Sequence, residues 1–377
     1  MKTHDARKMS PFLRKLLGMN WVIVALVTAL SLFGIVAIYS ATYFRTSEYW
    51  EKQVIWTALG LVVFVMTSVI HYRWVKVAAI PLFLTSIILI ALTYSPLGQE
   101  VGGAKCWLRL PGIGTFQPSQ MGVIFGIITV SLFLVHFRDR SRLLHIAGTA
   151  GIVMIPMGLI IRQPDMGMTL VWVPSILAVL LAAGLPKRHF ILILLTGLLA
   201  LPLVLNFQLK PYQRSRITAF INPDADQLGA SWAVNQALIA IGSGGLSGKG
   251  FKATGTQVEQ GFIPGTTVHT DYIFTAIGEQ WGFIGSCILI SAFGLLLLAC
   301  LFTSHQSADE LGLIMSVGFT AQIFFHVFQN IGMTIALVPI TGLPLPFISY
   351  GGTFLIMVMF AMGLINSVWV HRRDPEL

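Results

Sequence analysis

The chain has 377 residues, of which 55% are hydrophobic and only 10% are charged. A soluble protein carries about 25% charged residues, so this chain has too few polar side chains to cover two or three soluble domains. The mean hydropathy of +0.79 predicts a polytopic membrane protein. It excludes a disordered chain, a fibrous repeat and a soluble nucleic-acid-binding protein. The net charge of +9 does not by itself indicate an acidic binding partner, because membrane topology also determines where positive residues lie.

Apolar stretches that approach the roughly 20 residues needed to cross a bilayer recur ten times. The sequence therefore predicts an all-α polytopic membrane protein with a ten-helix domain at 21–370, an N-terminal segment at 1–20 and a tail at 371–377. The eighth and ninth spans are long enough to tilt or kink. The predicted spans are 21–41, 54–71, 78–94, 120–137, 144–161, 166–185, 190–207, 272–302, 311–337 and 353–370.

Lysine and arginine are distributed unevenly between the two sides of these spans. With the N-terminus in the cytoplasm, the inner segments carry fourteen Lys and Arg residues, whereas the short outer loops carry five. Cytoplasmic loops of membrane proteins are enriched in these residues. We therefore expect both termini in the cytoplasm, and most of the positive charge is a topology signal.

The loop at 208–270 is far longer than the others and is predicted to lie outside the cell. It contains an apolar helix candidate at 232–241, expected in the membrane interface, and a glycine-rich run at 242–250. This run lacks the G-x4-G-K-[ST] pattern of a nucleotide-binding loop. It is compatible with a turn that offers N–H groups and Lys249 to phosphate, and equally with a flexible connection.

Ionisable residues are rare inside the predicted spans, where Glu279 and His326 are the main examples. Ion-coupled transporters usually carry such residues along their pathway, so this distribution argues against one. The polar residues gather instead at the outer membrane edge, where a lipid-linked, water-soluble headgroup would bind. An uncharged segment at 339–352 with three prolines is either a re-entrant loop beside a substrate groove or a rigid plug, because irregular backbone at membrane depth must be packed in protein.

The three cysteines, Cys106, Cys287 and Cys300, are scattered along the chain. Their spacing fits neither a disulfide framework nor a metal site, so no metal ligands are predicted from them. Cys106 is the one cysteine expected near water.

Short motifs along most of the chain form a specific combination. They are Gln-Pro-Asp-Met-Gly at 163–167, Tyr-Gln-Arg-Ser-Arg-Ile at 212–217, the run at 239–250, Gly-Thr-Gln at 255–257, His-Thr-Asp-Tyr-Ile-Phe at 269–274 and the proline-rich segment at 339–352. This combination resembles the SEDS family (shape, elongation, division and sporulation) of bacterial peptidoglycan polymerases. The Gly-Thr-Gln element resembles the elongation branch, RodA-like, more than the division branch.

The resemblance implies a ten-helix glycosyltransferase of the bacterial cell membrane. Its substrate would be lipid II, polymerised for cell elongation and shape by inverting transfer with release of undecaprenyl pyrophosphate. Its partners would be a class B penicillin-binding protein, the elongation machinery and membrane lipid, with no nucleic acid. The essential aspartate of the family corresponds to Asp271. No cofactor is certain, and a divalent cation such as Mg²⁺ at Asp271 is an alternative.

Asp271 is the predicted general base, and a helix N-cap is the alternative that its position alone favours. Arg214 and Arg216, with Lys249 and Arg109 behind them, are predicted to bind the leaving pyrophosphate, because guanidinium groups bind phosphate in a bidentate manner. These cations could instead bind lipid headgroups or pair with Asp224 and Asp226. The other predicted substrate-binding residues are Trp107, Asp165, His269 and Ser349, where Trp107 is alternatively an interface anchor and Asp165 alternatively a cap.

The sequence departs from the family pattern at several positions. Cys106 stands where the family usually has Arg, and Gln120 and Val123 stand where it favours Glu and Lys. The segment 264–269 lacks the usual Glu after Pro and is two residues longer. These changes are expected to remove charge from the substrate groove. Two alternatives therefore stay open, a lipid II flippase and a catalytically weakened scaffold for the penicillin-binding protein.

Overall fold

The computed structural model describes residues 10–44, 48–101, 103–110, 114–207, 211–222 and 230–373. Helices dominate these residues, and one small sheet joins two of the helices. The helices are α1 Pro11–Leu17, α2 Trp21–Thr42, α3 Tyr49–Val69, α4 Val75–Leu92, α5 Pro118–His136, α6 Arg142–Arg162, α7 Met166–Ala182, α8 Lys187–Phe207, α9 Pro211–Ile221, α10 Ala230–Ser243, α11 Ile273–His305, α12 Glu310–Thr334 and α13 Gly352–Val370, and a short 3-10 helix covers Tyr72–Trp74. The strands are β1 Gly98–Val101, β2 Ala104–Leu110 and β3 Gly114–Phe116.

The long apolar helices identify a multi-pass membrane protein. Eight helices, α2 to α6 and α11 to α13, are long and apolar enough to cross a membrane, and α7 is a shorter apolar helix. The helix α8 overlaps the predicted seventh span, so every predicted span coincides with a helix. The ends differ by a few residues, as at α3, which begins at Tyr49 rather than at residue 54.

Three helices form the centre of the bundle. In α5, α12 and α13 about two thirds or more of the apolar stretch is buried, a larger share than in the other spans. The helix α13 packs along α3, and α12 packs against α7, α11 and α5. These central helices carry the ends and loops that surround the candidate site.

The sheet between α4 and α5 was not predicted. Its three short strands are antiparallel in the order β1-β2-β3, with Arg109 opposite Thr115. The all-α prediction is therefore correct for the bundle and wrong for this segment. The predicted short helix at 232–241 is confirmed as α10, which packs against α11.

The predicted kink in the eighth span lies at Gly282, whose φ of 66° and ψ of −160° interrupt α11. The glycine-rich run occupies this break and pairs with the backbone groups that the kink releases. The backbone of the run therefore completes a broken helix, and the run is not a flexible connection. The bonds join the N–H groups of Lys249 and Gly250 to the carbonyls of Glu279 and Gln280 (both 3.0 Å), and those of Phe283 and Ile284 to the carbonyls of Gly245 (2.9 Å) and Leu246 (3.0 Å).

The close packing of the glycine-rich run against α11 can be tested at Gly244. A Cβ added there would lie 2.1 Å from the carbonyl oxygen of Gly278. We expect Gly244→Ala to destabilise the protein by about 1–3 kcal/mol, the range for overpacking a tight contact. Gly242→Ala is the matched control, since its added Cβ meets nothing within 4 Å. The measurement is the melting temperature of the full chain in detergent. Equal melting temperatures for the two variants would contradict the close approach.

Candidate functional site

A cavity of about 770 Å³ opens at the end of the bundle where α3 and α13 begin. Its walls come from these two helix starts, from β2 and β3, and from the residues that precede α11. Aromatic rings dominate, with a few polar groups among them, which is the usual composition of a small-molecule site. Lining side chains include Lys52, Trp56, Trp107, Gln117, Thr270 and Tyr350.

The sheet positions Trp107 at this cavity by simple strand alternation. Cys106 and Leu108 point inward and are 4% and 5% exposed, so Trp107 and Arg109 lie on the opposite face. Trp107 lines the cavity, as does Thr115. Arg109 is opposite Thr115 and exposed, and since directly opposed residues share a face, it lies on the cavity side of the sheet.

The proline-rich segment is held rigidly by amides of α12. The Asn330 side chain donates to the carbonyls of Asp271 (2.9 Å) and Leu343 (2.8 Å). Gln329 donates to the carbonyl of Pro339 at 2.8 Å. The segment is therefore a packed plug, and its far end, with Tyr350, also borders the cavity. The rigid-plug alternative for 339–352 thus describes its packing, and its place beside a substrate groove stays a prediction.

Asp271 is partly buried at the junction between this plug and α11. The N-cap residue of α11 is Tyr272. The alternative prediction, that Asp271 caps this helix, is therefore wrong. A Cβ added at Gly342 would lie 3.2 Å from the Asp271 Oδ2 and 4.0 Å from the Arg216 Nη1. The plug backbone thus approaches both the carboxylate and the guanidinium group.

Burial raises the pKa of Asp271 to about 6, although the nearby Arg216 guanidinium lowers it. Near neutral pH the carboxylate is therefore mostly ionised and more basic than an ordinary aspartate. A general base works best when its pKa lies close to the operating pH. Asp271 has the protonation behaviour that such a role needs.

Asp165 is the N-cap of α7, which is one of the two roles predicted for it. Its Oδ1 accepts from the Met168 N–H at 3.0 Å, and its Oδ2 accepts from the Gln117 amide at 2.8 Å. Gln117 itself lines the cavity, which links Asp165 to the site. Burial raises the pKa of Asp165, and Arg216 lowers it. One arginine therefore acts electrostatically on both carboxylates.

The two arginines predicted to bind pyrophosphate lie on α9 and differ in surroundings. Arg214 is exposed, whereas Arg216 is partly buried. Arg216 lines a second, small cavity of about 80 Å³ between α9, α10 and residues 336–340. The structure thus brings Arg216 together with Asp271 and leaves Arg214 closer to solvent.

Two predicted ligand residues have internal partners instead. Lys249 forms an ion pair with Glu279 at 2.7 Å, and the Glu279 side chain is fully buried. Ser349 is 1% exposed; its hydroxyl donates to the Thr270 carbonyl at 2.6 Å and accepts from the Leu345 N–H at 2.8 Å. These contacts give each side chain a structural role, and binding of the substrate by either one stays a prediction.

His269 lines the cavity and is 3% exposed. Its ring stacks on Tyr49 with centroids 3.9 Å apart, and its carbonyl accepts from the Tyr350 N–H at 2.8 Å. The packing fixes His269 in the wall.

Two departures from the family pattern are buried in the bundle. Gln120 and Val123 are 2% and 0% exposed within α5, and neither lines the cavity of about 770 Å³. The expectation that Cys106 lies near water is wrong, because it is buried in the sheet and its sulfur lies 3.8 Å from the Gln117 amide.

Several site residues were not selected from the sequence. Gln117, Lys52 and Trp56 line the cavity, yet only the fold brings α3 beside the sheet. Gln117 could have been selected from the sequence, because it belongs to the distinctive Phe-Gln-Pro-Ser stretch at 116–119. Within the described residues, no group of three or more His, Cys, Asp or Glu side chains is suitably placed to hold a metal ion.

Comparison with known proteins decides the family. The family model FtsW/RodA/SpoVE, described as cell cycle protein, matches residues 20–374. The chain belongs to the FtsW/RodA/SpoVE family.

Individual relatives agree with this membership. The chain is 34% identical to the peptidoglycan glycosyltransferase MrdB of Escherichia coli over 86% of each protein. It is 30% identical to the peptidoglycan glycosyltransferase RodA of Treponema pallidum, over 93% of this chain and 97% of that protein. It is 34% identical to the probable peptidoglycan glycosyltransferase FtsW of Trichlorobacter lovleyi, over 92% of each.

Solved structures of this family have the same fold. The RodA protein of Thermus thermophilus matches with a TM-score of 0.70 at 28% identity, covering 95% of this chain and 98% of that one. A chain from a study of how a peptidoglycan synthase complex coordinates polymerization and crosslinking matches with a TM-score of 0.80 at 28% identity, covering 95% and 99%.

The ion pair between Lys249 and Glu279 can be tested by a double-mutant cycle. We expect Lys249→Met alone to destabilise the protein by about 3 kcal/mol, because it leaves a buried carboxylate uncompensated. Adding Glu279→Gln to Lys249→Met should recover most of this loss. The measurement is thermal or denaturant unfolding in detergent. If Lys249→Met left stability unchanged, the structural assignment of Lys249 would fail.

Proposed function

We propose that this member of the FtsW/RodA/SpoVE family is a peptidoglycan glycosyltransferase that polymerises lipid II on the outer face of the cell membrane. The observation that carries the proposal is the position of Asp271, a partly buried carboxylate beside Arg216 and next to the cavity-lining Thr270. The curated relatives are named peptidoglycan glycosyltransferases. All ten apolar helices are proposed to span the membrane, with both termini in the cytoplasm.

The chemistry joins the 4-hydroxyl of a GlcNAc to the anomeric carbon of a MurNAc at the end of a growing chain. Asp271 accepts the hydroxyl proton as the new C–O bond forms. The bond from the anomeric carbon to pyrophosphate breaks, and undecaprenyl pyrophosphate leaves with the electron pair. Because an α bond becomes a β bond, a single inverting displacement is the simplest path. A positioned base contributes about 10²–10⁴ to the rate of such a step.

Arg216 is the cation best placed to stabilise the departing pyrophosphate, since it lies beside the base. Arg214, two residues earlier on α9 and more exposed, is proposed as the second phosphate-binding group, with Arg109 at the cavity side of the sheet. Trp107 offers an aromatic face for a sugar ring within the cavity. A divalent cation at Asp271 remains an alternative, and no step here depends on it.

A flippase is less well supported, since it needs a polar route through the bundle. Two of the polar residues in the spans have internal partners: Glu279 accepts from the backbone N–H groups of Gln257 (2.7 Å) and Val258 (3.3 Å), and Asn330 donates to two carbonyls. A decayed scaffold is also less well supported, because Gln120 and Val123 are buried and are not among the residues that line the cavity.

A class B penicillin-binding protein is the proposed partner, supported by the similarity to a chain of a peptidoglycan synthase complex. The elongation branch is proposed from the Gly-Thr-Gln element at 255–257 and from the likeness to RodA structures.

Asp271→Asn should lower polymer formation by about 10²-fold or more, because the isosteric amide cannot accept the proton. The assay is glycan-strand formation from purified lipid II. Glu51→Gln, which removes an exposed carboxylate at the start of α3, is the matched control and should retain parental activity. Polymer formation by Asp271→Asn at the parental rate would refute the base assignment.

The rate should also depend on pH through Asp271. Since the ionised form is the base and its pKa is about 6, kcat/KM should fall as the pH drops below 6. Arg216 lowers this pKa, so Arg216→Gln should move the acidic limb of the profile to higher pH. Arg214→Gln should reduce the rate without moving the limb. An unshifted limb in Arg216→Gln would contradict the electrostatic coupling.

A further inference from the structure

A second charged cavity lies at the opposite end of the bundle from Asp271. The helix α5 starts beside Gln117, and its 19 residues extend about 28 Å. Beyond its far end, the turn at 137–141, the start of α6 and the end of α7 enclose a cavity of about 290 Å³. On the topology proposed above, this end faces the cytoplasm, so the cavity is separate from the polymerisation site.

Positive charge exceeds negative charge in this cavity. Three arginines, Arg138, Arg140 and Arg142, line it together with His145, and Asp139 is the one acidic lining residue. Arg138 is neutralised by Glu310 at 2.6 Å. Within the described part of the chain, the guanidinium groups of Arg140 and Arg142 have neither an ion pair nor a side-chain hydrogen bond. Two arginines are therefore available to an anion.

The remaining wall is apolar. Leu134 at the end of α5, Leu180 near the end of α7 and Leu185 in the following turn line the cavity opposite the cations. These residues end membrane-spanning segments, so the cavity is level with the bilayer surface. Its volume is roughly ten times the 30 Å³ of a water molecule in the liquid, enough for a small headgroup.

We propose that this cavity binds the phosphate diester headgroup of an anionic phospholipid from the cytoplasmic leaflet. Guanidinium groups bind phosphate oxygens in a bidentate manner, and basic pockets between membrane helices on this side bind lipid headgroups. The leucines contact the start of the acyl chains. A soluble phosphate compound would use the cations but gain nothing from the leucines.

The test is native mass spectrometry of the full chain in detergent, titrated with phosphatidylglycerol or with phosphatidylcholine. The parent chain should bind one phosphatidylglycerol in preference to phosphatidylcholine. The double variant Arg140→Gln with Arg142→Gln should lose about thirtyfold in affinity. The matched control, Lys187→Gln with Arg188→Gln, removes the same charge at the start of α8 outside the cavity and should bind as the parent does.

A second variant separates a built site from general surface charge. Ala183→Phe places bulk in the cavity wall while keeping every cation, and it should also weaken phosphatidylglycerol binding. Melting temperatures report that each variant is folded. Equal losses in the control pair, parental affinity in the double variant or in Ala183→Phe, or displacement of the lipid by millimolar inorganic phosphate would each overturn the proposal.

Discussion

The site depends on how the backbone around the break in α11 is satisfied. The kink at Gly282 exposes carbonyl and N–H groups that the glycine-rich run pairs with. An unpaired backbone group in a membrane costs several kcal/mol, so this pairing fixes the end of the long loop. Glu279 then anchors the loop further along through Gln257 and Val258. Asn330 finally holds the Asp271 carbonyl, which fixes the backbone that carries the proposed base.

The electrostatics of the site follow from this rigid placement. Asp271 and Asp165 are both partly buried, and burial disfavours their charged forms. Arg216 opposes that effect at both residues. The outcome at Asp271 is a carboxylate that is ionised near neutral pH but basic enough to accept a proton. A fully exposed aspartate would be a weaker base, and without Arg216 the pKa of Asp271 would be higher still.

Hydropathy was sufficient to predict the helices, because a bilayer requires long apolar segments regardless of tertiary contacts. The sheet was missed because its strands are short and interrupted by glycines. Asp271 was selected through its motif, and its catalytic role stays a prediction. Lys249 was assigned to substrate because an exposed lysine in a glycine-rich run looks like a phosphate ligand, and only the fold shows the buried Glu279 beside it. The sequence likewise did not reveal the partners of Ser349, since one of them is a backbone carbonyl 79 residues away.

The departures at Gln120 and Val123 are best understood as one change. Residues three apart lie on the same face of a helix, and both positions are buried within α5. A lone Glu or Lys at either buried position would be a charge in the interior, which is costly unless it is paired. Gln120 and Val123 together carry no charge, so the chain avoids that cost at both positions.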